Sequence, residues 1–170
     1  MDWKALIEAR KSTRAYEPKP VDKNVLAEIL EEAAYAPNAM HRNTWQFTAL
    51  TDEKKIAELV DVVKCATGRE DYTMYHPPAV VIVSDEKDDV NARENCACAL
   101  TYLFLAAANR GLGSVWINQL KYQDEKECVR AYLDEIGVPK NHIVGGLAVI
   151  GYPAPSEKPR AEKKANIKIL

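Results

Sequence analysis

Near the start of the chain, Arg10-Lys11-Ser12-Thr13-Arg14 puts three cations and two hydroxyls within five positions. Guanidinium forks, an ammonium and hydroxyl donors together suit a phosphate-bearing ligand. The same residues also suit a solvated helix end. The amphipathic stretch Trp3 to Ala9 before them reads as one or two helical turns, and cations favour a helix C-terminus. A second polar cluster is the run Ala36-Pro37-Asn38-Ala39-Met40-His41-Arg42-Asn43-Thr44, which joins a helix to a strand. It is longer than a typical connection. Asn38, His41, Arg42 and Asn43 can read the edge of a polar ring, or satisfy one another in an ordinary turn. A third candidate is Lys158-Pro159-Arg160, behind the Gly151-Tyr152-Pro153 turn; taken alone it reads as a solvated basic tail.

Other chemistries find no support. Gly111-Leu112-Gly113-Ser114-Val115-Trp116 has the wrong context for a dinucleotide fingerprint, which needs a strand before the glycines and a helix after them. Here a long helix precedes and a strand follows, so the glycines read as a helix stop and a tight turn. That strand leads to Trp116-Ile117-Asn118-Gln119, whose backbone can approach a planar ligand. There is no phosphate-loop motif, nucleophile elbow or H-E-x-x-H. His41, His76 and His142 are scattered and no metal site is expected. Cys96 and Cys98 sit two apart in a helical pattern and point to different sides. All four cysteines, with Cys65 and Cys128, are expected to be buried free thiols.

The elements that must position these residues follow from periodicity. Asp22 caps a helix to Ala34 with Val25, Leu26, Ile29, Leu30 and Ala33 on one face. Gln46 to Leu50 reads as a strand. Asp52 caps a helix carrying Ile56, Leu59, Val60 and Val63. Ala79 to Val83 reads as a strand buried on both faces. Asn91 to Arg110 is a long Ala- and Leu-rich helix for the centre of the fold or a subunit interface. Ser114 to Ile117 is a short strand, Asp124 to Ile136 a helix, and Ile143 to Gly151 the last strand. The 170 residues are enough for one domain, expected to span 1–170. A formal net charge of −2 argues against nucleic-acid binding. No apolar run approaches a membrane span and no signal peptide is recognised, so a cytoplasmic protein is expected.

In order and spacing, these segments resemble the nitroreductase family of FMN-dependent oxidoreductases. The opening cluster is similar to the family's R-[RH]-S-x-[RK]. Ala36 to Phe47 is similar to A-P-S-x-x-N-x-Q-P-W-x-F. Gly111 to Ile117 follows G-L-G-[ST]-x-W-I, Ile136 to Pro139 is similar to L-G-[IV]-P, and the chain closes with G-Y-P and a K-x-R. It departs at Asn38, His41, Asn43, Thr44 and Asn118, which replace the family's Ser, Asn, Gln, Pro and a frequent Gly. Only about a dozen residues separate Cys65 from Pro77, where longer members carry helices over the site. The resemblance therefore implies a short member with an open site and a modest dimer-wrapping tail.

The resemblance implies an α+β fold: a three-layer α/β/α sandwich with a mixed, mostly antiparallel central sheet. It also implies a homodimer with FMN at the subunit interface. Arg10, Lys11, Ser12, Lys158 and Arg160 are then assigned to the FMN phosphate. Arg14 is assigned to the pyrimidine edge, where a cation eases two-electron reduction. Pro37, Asn38, Ala39 and His41 come from the partner chain, and Trp116, Ile117, Asn118 and Gln119 lie along the ring. No side chain is expected to act as a nucleophile. The implied reaction is ping-pong hydride transfer from NAD(P)H through flavin N5 to a small-molecule acceptor such as a nitroaromatic or a quinone. The alternatives are a flavin-binding redox sensor without efficient turnover, or a specialised chemistry such as dehalogenation, enoate reduction or flavin fragmentation.

Overall fold

The computed structural model describes residues 2–159, 161–162 and 164–170. Five α-helices and four strands alternate along it: α1 (Trp3–Ala9), α2 (Lys23–Ala33), β1 (Gln46–Leu50), α3 (Glu53–Thr67), β2 (Ala79–Glu86), α4 (Ala92–Asn109), β3 (Gly113–Ile117), α5 (Glu127–Glu135) and β4 (His142–Gly151). The strands form one sheet in the order β1-β2-β4-β3, each neighbouring pair antiparallel. Among the described residues, the parallel component of the expected mixed sheet is a single isolated bridge, Ser12 to Ser114.

Each face of the sheet carries its own apolar layer, and strand alternation decides which side chains go where. Val80, Ile82, Val115, Ile117, Leu147 and Val149 point towards α3 and α5, where Leu59, Val63, Val129 and Leu133 meet them. Ala79, Val81, Val83, Ala148 and Ile150 point the other way, against Ile29 and Ala33 of α2 and Leu100, Leu103 and Ala107 of α4. The result is helix layers on both sides of the sheet, so the expected three-layer sandwich is found. The central β2 runs to Glu86, three residues beyond the expected end, and Ala79 to Val83 are fully buried.

Helix ends follow local chemistry. Asp22 accepts from the Asn24 and Val25 amides, and Asp52 from that of Lys55. Gly111, at φ 73°, takes the left-handed position after α4. Two expectations change. Helix α5 starts at Glu127 rather than Asp124, because Asp124 is drawn off to accept the Val144 amide at 2.6 Å. Cys65 and Cys128 are not free thiols but a disulfide between α3 and α5. Cys65 is exposed rather than buried. The two lie 63 positions apart, and only the packing of α3 beside α5 brings them together. Cys96 and Cys98 remain free, Cys96 buried and Cys98 partly so.

Candidate functional site

The basic segment is sewn onto the sheet edge. Strand β3 is at the edge, and the Thr13 amide donates to the Ser114 carbonyl at 2.9 Å. Further along, the Glu17 amide donates to Tyr152 O (2.9 Å) and the Ala154 amide to Ala15 O (3.0 Å). The segment therefore lies between the start of β3 and the chain leaving β4. Gly113 permits the approach: a Cβ there would meet Thr13 Oγ1 at 2.5 Å and Thr13 Cβ and Cγ2 at 2.7 Å. This is a close-contact role; Gly113 is not among the residues with positive φ. Thr13 is buried (1% exposed), which leaves Lys11, Ser12 and Arg14 on the accessible side.

These contacts bring together the two basic clusters that sequence keeps nearly 150 positions apart. Lys11, Ser12, Arg14 and Ala15 face Ser156 to Pro159 and Ala161 across a cleft of about 520 Å³. Lys11 Nζ donates to the Lys158 carbonyl. Arg10, the C-cap of α1, lines a smaller adjoining cleft of about 190 Å³ with Lys11, Gly111 and Gly113. Arg160 lies outside the described residues. The guanidinium of Arg14 stands 6.0 Å from the ring centroid of Tyr75. Tyr75 belongs to a turn in which Met74, Tyr75 and His76 all take positive φ (51°, 64° and 51°). Such a run of non-glycine residues is costly and concentrates at functional positions.

Beyond the Ser114 bridge, β3 leads into a second cleft of about 420 Å³. It is lined by Trp116 and Asn118 with Arg93, Glu94, Lys121 and Gly145. Trp116 is 38% exposed on a strand whose other residues are buried, and its ring lies 6.3 Å from that of Phe104 on α4. The Ile117 side chain is in the core, so only its backbone can serve a ligand. The Gln119 side chain folds back, its Oε1 accepting the Asn118 amide at 3.0 Å.

The loop with Pro37, Asn38, Ala39 and His41 does not join the basic cleft within one chain. It is fastened to the far ends of β2 and α4. Buried Asn95 accepts the Ala39 amide at 2.9 Å and donates to Asp85 (3.0 Å) and Asp89 (3.2 Å). Thr44 donates to Asp85 at 2.6 Å, and Arg42 pairs with Glu86 at 2.6 Å. Desolvation is the largest single effect on the Arg42 pKa and lowers it, but attraction from Asp88, Asp89 and Glu86 and the hydrogen bond to Glu86 together outweigh it and raise the pKa above its ordinary value. Asn38 and Asn43 bond each other (2.7 Å), while Met40, His41 and Asn43 take positive φ. His41 is exposed. The sequence reading missed Asn95, Arg93, Lys121 and Glu157. Of these only Glu157 had a signal, its place directly before the late basic pair.

The arrangement can hold an extended anion-bearing ligand: its phosphate among Lys11, Ser12 and Lys158, and its planar part along the end of β3. Comparison with known proteins places the chain as a whole. The profile of the Nitroreductase family matches residues 7–71 and 66–152. A nitroreductase from Bacteroides fragilis, solved with bound FMN, is 39% identical, with a TM-score of 0.91 over 100% of both chains. A Thermus thermophilus NADH dehydrogenase is 27% identical over 187 residues, covering 91% of this chain and 88% of its own. The fold also matches iodotyrosine deiodinase, solved with FMN and 3-iodo-L-tyrosine, at 22% identity and a TM-score of 0.80, covering 98% of this chain and 97% of that one. With half its length and more matched by one family, and the full fold shared, the chain belongs to the Nitroreductase family, a family of oxidoreductases.

Proposed function

We propose that this chain is an FMN-dependent NAD(P)H oxidoreductase that reduces small aromatic acceptors such as nitro compounds or quinones. The observation that carries the reading is the convergence of Lys11, Ser12 and Arg14 with Lys158 on one cleft at the edge of β3. A phosphate of charge near −2 matches an ammonium pair and a hydroxyl, and the donor set fits FMN. Lys11, Ser12 and Lys158 would hold the phosphate with Arg10 beside them; Arg160, outside the described residues, is assigned to it by the family resemblance alone. Arg14 would face the pyrimidine edge, where its charge would favour the reduced, more negative ring. The backbone of Trp116 to Gln119 supports the ring, Ile117 by its main chain alone. FMN held there would supply two-electron chemistry between a nicotinamide donor and the acceptor, in a ping-pong sequence. The protein contributes orientation and charge; no side chain acts as a nucleophile.

A homodimer belongs to the same reading. Pro37, Asn38, Ala39 and His41 are fastened away from the basic cleft of their own chain, so their contact with FMN comes from a second copy. Tyr35 and Met40 beside them are 83% and 89% exposed, apolar surface for a partner to cover. The test is a fluorescence titration with FMN of the wild-type chain and Lys11→Ala/Ser12→Ala, joined to sedimentation for the oligomeric state. Tight binding by the wild type that weakens roughly a hundredfold without the two phosphate contacts is expected. Equal binding by both would refute the placement.

A further inference from the structure

Among the described residues, the basic cleft holds one acid. Glu157 is only 9% exposed at its side chain and lies against the cation segment. Its Oε2 accepts the backbone amides of both Arg14 (2.8 Å) and Ala15 (2.7 Å). Its Oε1 is 3.8 Å from Lys11 Nζ, the same ammonium that donates to the Lys158 carbonyl. The Glu157 amide also closes a turn onto Ala154 O at 2.9 Å. A carboxylate among phosphate-binding cations opposes an incoming phosphate, so the charge itself works against the site. What it supplies is geometry: two amides and an ammonium from residues 11–15 converge on one side chain of the tail.

We propose that Glu157 is a positioning residue of the cofactor site. It docks the tail onto residues 11–15 and thereby brings Lys158 to the cleft lined by Lys11 and Ser12. The proposal rests on the flavin reading above and concerns only the phosphate end. Both amide bonds end on a single oxygen, so a glutamine carbonyl can accept both while shedding the charge. Alanine can accept neither. The two substitutions therefore separate docking from charge.

The experiment titrates the full chain with FMN and with riboflavin, which lacks the phosphate, following flavin fluorescence, with thermal melts of each variant. For Glu157→Ala, the FMN Kd should rise roughly tenfold, the loss of about one charged contact, while the riboflavin Kd stays within about twofold. Glu157→Gln should bind FMN at least as tightly as the wild type. The proposal is overturned if Glu157→Ala binds FMN like the wild type, or if it weakens both flavins alike while melting normally. Should Glu157→Ala fail to fold, Glu157→Gln decides alone: FMN binding weakened tenfold overturns the proposal, and retained binding supports it. A wild-type chain that binds neither flavin overturns the flavin reading, and this proposal with it.

Discussion

Gly113→Ala tests whether the basic segment is held where the site needs it. The added Cβ would lie 2.5–2.7 Å from three atoms of Thr13, whereas carbon atoms rest at about 3.5–4.0 Å. Segment and strand must therefore part by roughly 1 Å. Thr13 is almost fully buried, so it cannot swing aside into solvent. Overpacking of this kind costs about 1–3 kcal/mol, within a total stability of about 5–15 kcal/mol, so the variant should fold. The same displacement strains the Thr13–Ser114 hydrogen bond and moves Lys11 and Ser12 off their positions. Losing one charged contact to phosphate, worth about 1.5–3 kcal/mol, weakens FMN roughly ten- to a hundredfold. Urea unfolding with an unchanged slope gives the stability change, and fluorescence titration gives the affinity. Thr13→Ala removes two of the three blocking atoms, so Gly113→Ala should cost less in that background, by about 1 kcal/mol. A Gly113→Ala protein within about 0.5 kcal/mol of the wild type, with unaltered FMN affinity, would refute the argument.

Further expectations concern other parts of the fold. Burial holds the His142 imidazole below its ordinary value, despite opposing attraction from Asp85 and Glu86. Between the folded value and about 6.5 the unfolded chain binds the extra proton, so stability falls as pH drops through that window; urea midpoints at pH 7 and 5 should show this, and His142→Gln should flatten it. Asn95→Ala leaves the Ala39 amide and the Asp85 and Asp89 carboxylates without that partner, at a cost of about 1–3 kcal/mol; amide hydrogen exchange should quicken at Ala39, and unchanged exchange would count against the network. Breaking the Cys65–Cys128 link with a reductant, or by Cys65→Ser, should lower the unfolding free energy by up to about 4 kcal/mol, the chain-entropy value for 63 residues; identical denaturation curves with and without reductant would contradict the cross-link. Burial pushes the Cys96 thiol up to about 12, so a maleimide at neutral pH should label Cys98 and spare Cys96.

Much of this was legible in the residues because local rules carried it. The continuous β-branched run in Ala79 to Val83, the Asp22 and Asp52 caps and the Ala-rich run of α4 each state a conformation without help from distant residues. The antiparallel order β1-β2-β4-β3 was not legible, since pairing depends on which strands meet after collapse. Asp124 reads as a helix cap by type, yet the Val144 amide competes for it across 20 positions. Gly113 looks like a turn residue, and its close contact with Thr13 exists only once residues 12–17 lie beside β3. The cysteine pair failed for the same reason, with spacing along the chain carrying no trace of α3 beside α5. In the candidate site, the basic residues stand out by type. Their meeting across the sheet edge, the anchoring of the Ala39 loop by Asn95 and the bonds from the Arg14 and Ala15 amides to Glu157 arise only in the folded chain.

The central claim is that Lys11, Ser12, Arg14 and Lys158 together form a flavin site open to a nicotinamide donor. The most direct measurement is the visible spectrum of the purified chain mixed with FMN under anaerobic conditions, before and after NADH or NADPH. A yellow complex is expected whose flavin band bleaches on adding the nicotinamide and returns when a nitroaromatic or quinone is supplied. A chain that stays colourless after gel filtration with FMN, or a bound flavin that neither nicotinamide bleaches, would contradict it.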